Sequence, residues 1–166
     1  MKPVVTRRSL VSMMASLPAF ALIGQNVRAD ADEAILSVRL NDAEAQFTDA
    51  TLSDLPQVSF STTTLWTQGQ ISFAGPTLQS VLEATGAMQD VAAIRLTALN
   101  DYSVTMETAL IGPNAPIVAN RIDGAPFSVR DKGPLWIMFP FDLDIRYRSE
   151  SFYALSIWQL SHIESV

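Results

Sequence analysis

IRLTALNDYSVTM, at residues 94–106, is the clearest structural signal in the sequence. Apolar side chains take every second position over 94–98 and again over 102–106, and Asn100-Asp101 separates the two series. A period of two is typical of a half-buried strand, and an Asn-Asp pair favours a turn. The stretch therefore predicts two strands joined by a turn at which a ligand could lie.

Further strands are predicted on both sides of this pair. Alternation indicates a strand over 36–40, and β-branched residues indicate another over 58–64. Turns at Gly69 and Gly75 bracket a short strand over 71–73. The remaining strands are predicted over 117–119, before a turn at Asp123-Gly124, over 135–139, and in the closing segment 153–163.

Two segments have helical patterns. Apolar residues over 78–82 follow the spacing of a helix face, with Thr77 placed to cap its start and Gly86 to end it. Residues 51–54 fit a capping box that opens a short helix, which Pro56 stops. Many short strands with a few short helices predict a β-rich α+β domain with one core.

The N-terminus has the features of a secretory signal peptide over residues 1–29. Basic residues precede an apolar run of 14 residues over 10–23, and Val27-Arg-Ala29 fits a cleavage site. An uncleaved anchor is the weaker interpretation because the run is short for a bilayer. The string Thr6-Arg-Arg-Ser-Leu10 also resembles a twin-arginine signal, so the export route stays open. We expect a periplasmic protein whose residues 30–166 form a single domain.

The charge and the lack of cysteine exclude several classes of function. Residues 30–166 carry 7 basic and 17 acidic side chains, a net charge of −10. Nucleic acid and anionic membrane surfaces are therefore not expected partners, because both attract basic proteins. We also expect that the protein is not an integral membrane protein. With no cysteine, the chain has no disulfide, thiolate metal ligand or thiol nucleophile.

Several motifs, in this order and spacing, resemble the sulfite-oxidase-type molybdopterin-binding domain. The resemblance extends over residues 34–164. It rests on Thr62-Thr-Thr-Leu-Trp66, Phe73-Ala-Gly-Pro-Thr-Leu78, Asn100-Asp-Tyr102, Asp123-Gly-Ala-Pro126, the segment 130–140, and the closing segment 156–163. It implies that family's fold and a face that binds a pterin cofactor.

Thr62 marks a departure from the family. In catalytic members a cysteine at this position binds molybdenum, and a neutral hydroxyl is a poor substitute for a soft thiolate. The resemblance to small exported members without the cysteine implies a protein that binds a reduced pterin without metal and signals to a membrane-bound partner, such as an enzyme of cyclic-dinucleotide metabolism. The resemblance thus implies a reduced pterin or molybdopterin-like ligand without molybdenum.

Two other functions stay open. One is a small molybdopterin-dependent oxidoreductase, or a subunit of one, that holds molybdenum through the cofactor dithiolene alone. The other is an interaction domain without a ligand.

A pterin is a flat bicyclic ring with donors and acceptors along one edge, so its site needs an aromatic platform and polar groups. Trp66 could stack on the ring, although such a residue is also common in β-rich cores. Asn100 and Asp101 could bond to the polar edge, although the pair also suits an ordinary turn with self-bonding side chains. Tyr102 belongs to the same motif. Thr62 joins the set by alignment alone, since three successive threonines also suit a strand.

Cationic residues are the remaining candidates. Arg130 and Lys132 lie in a loop bounded by Gly and Pro, and they could receive a hydroxyl tail, a phosphate or an acidic partner. A solvated loop explains them equally. Arg121 is a weaker candidate, because an ion pair with a nearby acid would also account for it.

Other chemistries have little support in the sequence. His162 is the only histidine, so a catalytic triad or a histidine-rich metal site would lack a second imidazole, and we expect an edge or capping residue. Asp142 and Asp144 fall short of an oxygen cage for a hard cation. Four aromatic residues are expected to fill the core: Trp136, Phe139, Phe141 and Trp158.

Overall fold

The computed structural model describes residues 33–166, so the predicted signal peptide over 1–29 lies outside the described residues. The described strands and α-helices are, in chain order, β1 (Leu36–Leu40), β2 (Ala43–Phe47), α1 (Asp49–Asp54), β3 (Gln57–Thr63), β4 (Gln70–Pro76), α2 (Leu78–Glu83), β5 (Ala93–Ala98), β6 (Ser103–Glu107), β7 (Ile117–Ala119), β8 (Arg121–Ile122), β9 (Trp136–Met138), α3 (Glu150–Leu155) and β10 (Leu160–Ser165). Three 3-10 turns lie at Thr108–Leu110, Val129–Asp131 and Ile145–Tyr147. The prediction of a β-rich fold with a few short helices is confirmed.

The strands form three sheets. The largest has the order β2-β1-β10-β5-β6, the second has the order β3-β4-β8, and β7 pairs with β9 in the third. The predicted pair over 94–106 is the antiparallel hairpin β5-β6, with Leu96 opposite Val104. Strand β10 pairs in parallel with β1, so the end of the described chain lies beside its beginning.

The apolar residues that alternate in the sequence are buried in the structure. Leu36, Val38 and Leu40 of β1 are buried, as are Ile94 and Leu96 of β5, and they join one hydrophobic cluster. Trp136, Phe139 and Phe141 are also buried there, as predicted, whereas Trp158 packs against the cluster and is only partly buried. Among the described helices, none has the length and apolar character needed to cross a bilayer.

The two predicted helices are present, with one correction. Helix α2 is capped by the Thr77 side chain, which accepts a hydrogen bond from the Ser80 N–H, as expected. Helix α1 is capped by Thr48 rather than Thr51. The capping box is reciprocal between these two threonines, so the predicted cap is in fact the third helical residue.

Gly75 does not end a strand, contrary to the prediction. It lies inside β4, where a Cβ atom would be 2.0 Å from the Val118 carbonyl oxygen of β7. Strand β4 therefore runs past this position, and glycine is needed there because two backbones approach closely.

Three further features differ from the predictions. The segment 153–163 is not one strand, because its first residues end helix α3 and only its last residues join β10. Strand β2 was not predicted, although its sequence AEAQF alternates. His162 is exposed but lies on β10, the middle strand of the largest sheet, and is therefore not on an edge strand.

Candidate functional site

An aromatic cavity of about 440 Å³ opens beside the β5-β6 turn. Four elements build it: the loop after β3, the β5-β6 turn, helix α3 and the segment before β10. Its lining residues are Trp66, Ala98, Asn100, Tyr102, Glu150, Tyr153, Ala154, Ser156, Ile157 and Trp158. The fold thus brings three of the sequence-predicted residues together: Trp66, Asn100 and Tyr102.

Trp66 is the centre of the aromatic wall. Its ring centroid lies 5.9 Å from that of Tyr153 and 5.8 Å from that of Trp158, both in edge-to-face geometry. The side chain of Thr64 fixes the loop, since its hydroxyl accepts a hydrogen bond from the Trp66 N–H at 3.1 Å and contacts the Thr67 hydroxyl at 2.7 Å. Trp66 is partly buried, so it both packs on the core and presents a surface to the cavity.

The β5-β6 turn supplies a polar rim. The Asn100 side-chain oxygen accepts a hydrogen bond from the Tyr102 N–H at 3.2 Å, which is the self-bonding turn expected from the sequence. Its amide nitrogen has no partner in the described part of the chain and can donate to a ligand. Asp101 takes a positive φ of 65° and does not line the cavity. Tyr102 is 52% exposed and forms one side of the opening.

Helix α3 provides residues that sequence reasoning missed. Glu150 lies in the first helical turn, where the helix dipole favours a carboxylate, and Tyr153 follows one turn later on the same face. The predicted strand over 153–163 includes Tyr153 but not Glu150, which lies outside every predicted element. The available signal was Ser149 as an N-cap residue followed by this i, i+3 pair.

Trp158 closes the wall opposite the turn. It forms a β-bridge with Trp136 of β9, whose indole N–H donates to the Ser156 carbonyl at 3.0 Å. The Lys132 ammonium lies 5.9 Å from the Trp158 ring centroid. Lys132 is held in place because its carbonyl accepts a hydrogen bond from the Gln159 N–H. The predicted cation Lys132 therefore lies next to the cavity, whereas Arg130 is exposed and does not line it.

Thr62 is fully buried on β3, and its hydroxyl is already engaged. The hydroxyl accepts a hydrogen bond from the Asp142 N–H at 3.1 Å. The Asp142 carboxylate in turn accepts from the Thr63 hydroxyl at 2.6 Å and from the Thr63 N–H at 2.7 Å. These bonds, with the Arg148 guanidinium, lower the pKa of Asp142. The oxygens of Asp142 are thus already engaged in hydrogen bonds within the protein. Separately, the described residues contain no group of three His, Cys, Asp or Glu side chains placed for a metal.

Arg121 lies on β8 and does not line the cavity. Its guanidinium donates to both oxygens of Asp49 at 2.7 Å, the kind of ion pair proposed as the alternative from sequence. These hydrogen bonds lower the pKa of Asp49 and raise that of Arg121. The pair joins helix α1 to the sheet that contains β8.

The comparisons with known proteins add a fold relationship. No family model matches the chain, and no curated protein matches its sequence. Among solved structures, the sulfane dehydrogenase SoxCD from Paracoccus pantotrophus matches with a TM-score of 0.62 and 13% sequence identity, over 82% of this chain and 39% of that chain. This chain therefore spans about two fifths of that structure's chain. At such low identity the likeness shows the fold alone, and it supports the sulfite-oxidase-like fold expected from the sequence.

The cavity is suited to a flat aromatic ligand. Its volume of about 440 Å³ is within the range of small-molecule sites. Four aromatic side chains offer stacking or edge contacts, while an amide donor and a carboxylate acceptor lie on the lining. Lys132 provides a positive charge nearby.

Proposed function

We propose that this protein is a binding module that holds a metal-free pterin in the aromatic cavity. The observation that carries the proposal is the convergence of Trp66, Tyr102, Tyr153 and Trp158 around one opening. A pterin ring presents two π-faces and a polar edge, and this wall can contact the faces. The Glu150 carboxylate can accept from the amino group of the ring, and the free amide nitrogen of Asn100 can donate to a ring acceptor.

The remaining predicted residues differ in their position relative to the cavity. Lys132 is placed to meet a hydroxyl tail or phosphate extending past Trp158. Asp101, Arg121, Arg130 and Thr62 do not line the cavity, and their roles in binding stay predictions.

Molybdenum held by the protein does not fit the residues present. The resemblance implies that Thr62 takes the position of the metal-binding cysteine, and the neutral hydroxyl of Thr62 is buried and accepts a hydrogen bond from the Asp142 N–H. A molybdopterin-dependent oxidoreductase would therefore have to hold its molybdenum through the cofactor alone. The likeness to a dehydrogenase keeps that alternative as the second candidate.

In this proposal the protein acts in the periplasm after removal of residues 1–29 and relays pterin occupancy to a membrane-bound partner, such as an enzyme of cyclic-dinucleotide metabolism. Such a relay requires the partner to distinguish the liganded from the free form, because a ligand shifts an equilibrium only by its differential affinity.

Isothermal calorimetry with tetrahydrobiopterin under argon tests the binding function. We expect Trp66→Ala to weaken binding by about ten- to hundredfold, since base–aromatic stacking contributes about 1–3 kcal/mol. Leu65→Ala is the matched control, because this neighbouring side chain is exposed and does not line the cavity. Tyr102→Ala removes a second wall at an exposed position, and we expect a weaker loss.

Two outcomes would contradict the proposal. One is an unchanged affinity of Trp66→Ala in a protein whose far-ultraviolet circular dichroism matches that of the native chain. The other is stoichiometric molybdenum, measured by inductively coupled plasma mass spectrometry, in protein purified from its native compartment. The second result would favour the oxidoreductase.

A further inference from the structure

Strand β3 is an edge strand of the second sheet, and the hydrogen bonds of its neighbour β4 show which backbone groups of β3 are unpaired. The carbonyls of Ser72 and Ala74 accept from Asp123 and Asn120, on the side of β8. The residues between and beside them must then direct their backbone groups toward β3, because successive residues of a strand alternate in this direction. Phe73 and its partner Phe60 are therefore a hydrogen-bonded pair.

It follows that Gln57, Ser59, Ser61 and Thr63 point their N–H and C=O groups away from β4. Thr63 confirms this direction, because its outward N–H is bound by the Asp142 carboxylate at 2.7 Å. Ser59 and Ser61 have no backbone partner in the described part of the chain. The backbone N–H and C=O groups of Ser59 and Ser61, in the middle of β3, are thus available to pair with another strand.

This edge lacks the features that usually protect a strand from pairing. Its sequence QVSFSTT contains no charge and no proline. The outer strands of the largest sheet each carry a glutamate, Glu44 on β2 and Glu107 on β6, and β8 has only two residues. Among the described edges, β3 is the long uncharged one.

A cleft of about 580 Å³, lined by both apolar and polar residues, lies against the same strand. Val58, Ser59 and Phe60 of β3 line the cleft, as does Leu143, which is 81% exposed. The rest of the lining comes from the loop 109–115 and from Pro140, Arg146, Tyr147 and Phe152. A strand added beside β3 would place every second side chain on the face that holds this cleft.

The charges near the cleft indicate the chemistry of the added strand. Residues 33–166 carry seven cationic and fifteen acidic side chains, a net charge of −8. Arg146, the cation of the cleft, is paired with Asp144. Asp54 precedes β3 and Glu107 precedes the loop 109–115, and both are exposed without an ion-pair partner in the described region. These charges disfavour a second copy of the chain and favour a strand with basic flanks.

We propose that the free edge of β3 docks an extended segment of another polypeptide. The segment adds to the sheet through the backbone groups of Ser59 and Ser61, inserts an apolar side chain into the cleft beside Phe60, and carries lysine or arginine at its ends. Main-chain bonds supply affinity in this mode of recognition and the cleft supplies specificity. The proposal does not depend on the ligand of the aromatic cavity.

The test uses the full exported protein and the peptide Lys-Thr-Val-Phe-Val-Thr-Lys with a fluorescent label at its N-terminus. Fluorescence polarisation should give saturable binding below 1 mM, about the weakest affinity such a titration detects. Ser59→Pro should weaken binding by about tenfold, because it removes one outward N–H and leaves a peptide carbonyl unpaired. Proline is tolerated there since that N–H faces away from β4. Ser59→Ala, which keeps the N–H, should bind as the native chain does.

Further peptides examine each part of the proposal. A peptide with N-methyl groups at alternate residues should bind at least tenfold more weakly if backbone pairing is used. Replacing both lysines of the peptide by glutamate should weaken binding relative to the unmodified peptide, and the difference should be largest at low salt. Absence of binding to the native protein, or equal binding by Ser59→Pro and Ser59→Ala with both variants folded, would overturn the proposal. A dimer that sedimentation finds in the native protein but not in Ser59→Pro would also overturn it and assign the edge to a second copy.

Discussion

Gly75→Ala should be severely destabilising, because β4 and β7 meet there through their backbones. The added Cβ would lie 2.0 Å from the Val118 carbonyl oxygen and 2.9 Å from the Ala119 Cα, whereas ordinary contacts begin at 3.4 Å. The two strands would have to separate by about 1.4 Å at this point. Both neighbouring atoms belong to the main chain of a buried strand, so neither can turn aside. Overpacking of a core costs about 1–3 kcal/mol, and we expect the upper end or more.

Urea unfolding followed by far-ultraviolet circular dichroism measures this loss. Gly112→Ala is the matched control, since its Cβ would lie 3.5 Å from the nearest atom and we expect a change within about 0.5 kcal/mol. Gly69→Ala tests backbone strain without steric contact, because Gly69 has a φ of +69° and an added Cβ would have nothing within 4 Å. We expect this substitution to lower the free energy of unfolding by about 1 kcal/mol. If Gly75→Ala and Gly112→Ala unfolded at the same urea concentration, the close approach of β4 and β7 would be refuted.

Three other predictions concern single interactions. The pKa of Asp49 is lowered in the folded state by the Arg121 hydrogen bonds. This carboxylate therefore stabilises the fold above its unfolded pKa of about 4, and the contribution is lost as the pH falls below that value. Urea titrations between pH 2 and 6 should show that the free energy of unfolding declines less steeply with falling pH in Asp49→Asn than in the native chain. Thr77→Ala should lower the free energy of unfolding by about 1 kcal/mol through loss of the α2 cap, measurable by thermal unfolding. Trp136→Phe should cost about 1–3 kcal/mol, because the buried Ser156 carbonyl loses the indole donor at 3.0 Å, and a native-like midpoint would contradict that bond.

Local signals were sufficient for the central hairpin and for helix α2. The turn at Asn100 is specified by neighbouring residues, and alternation on either side fixes which face is buried. The cap at Thr77 likewise depends on residues within one turn. Such features are legible in the sequence because the interactions that determine them are short in range.

The features that were missed depend on partners distant in the chain. Gly75 resembles a turn residue locally, and only the approach of Val118 explains it. The apolar run from Tyr153 onward fits a strand as well as a helix, and packing decides between them. A strand over 153–163 does not place Tyr153 beside Trp66, and Glu150 lies outside that predicted strand, whereas the turn residues Asn100 and Tyr102 of the same cavity are predicted from the sequence.

All three tryptophans of the chain belong to one cluster, Trp66, Trp136 and Trp158, with ring centroids 5.7 to 6.2 Å apart. At such separations electronic excitation passes readily from one indole to the next, so quenching of one indole lowers the emission of the other two. A molecule that absorbs near-ultraviolet light and binds in the aromatic cavity would therefore lower the emission of all three tryptophans, including Trp136, which does not line the cavity. The native chain therefore carries its own optical reporter of cavity occupancy, without a label and without background from tryptophans elsewhere.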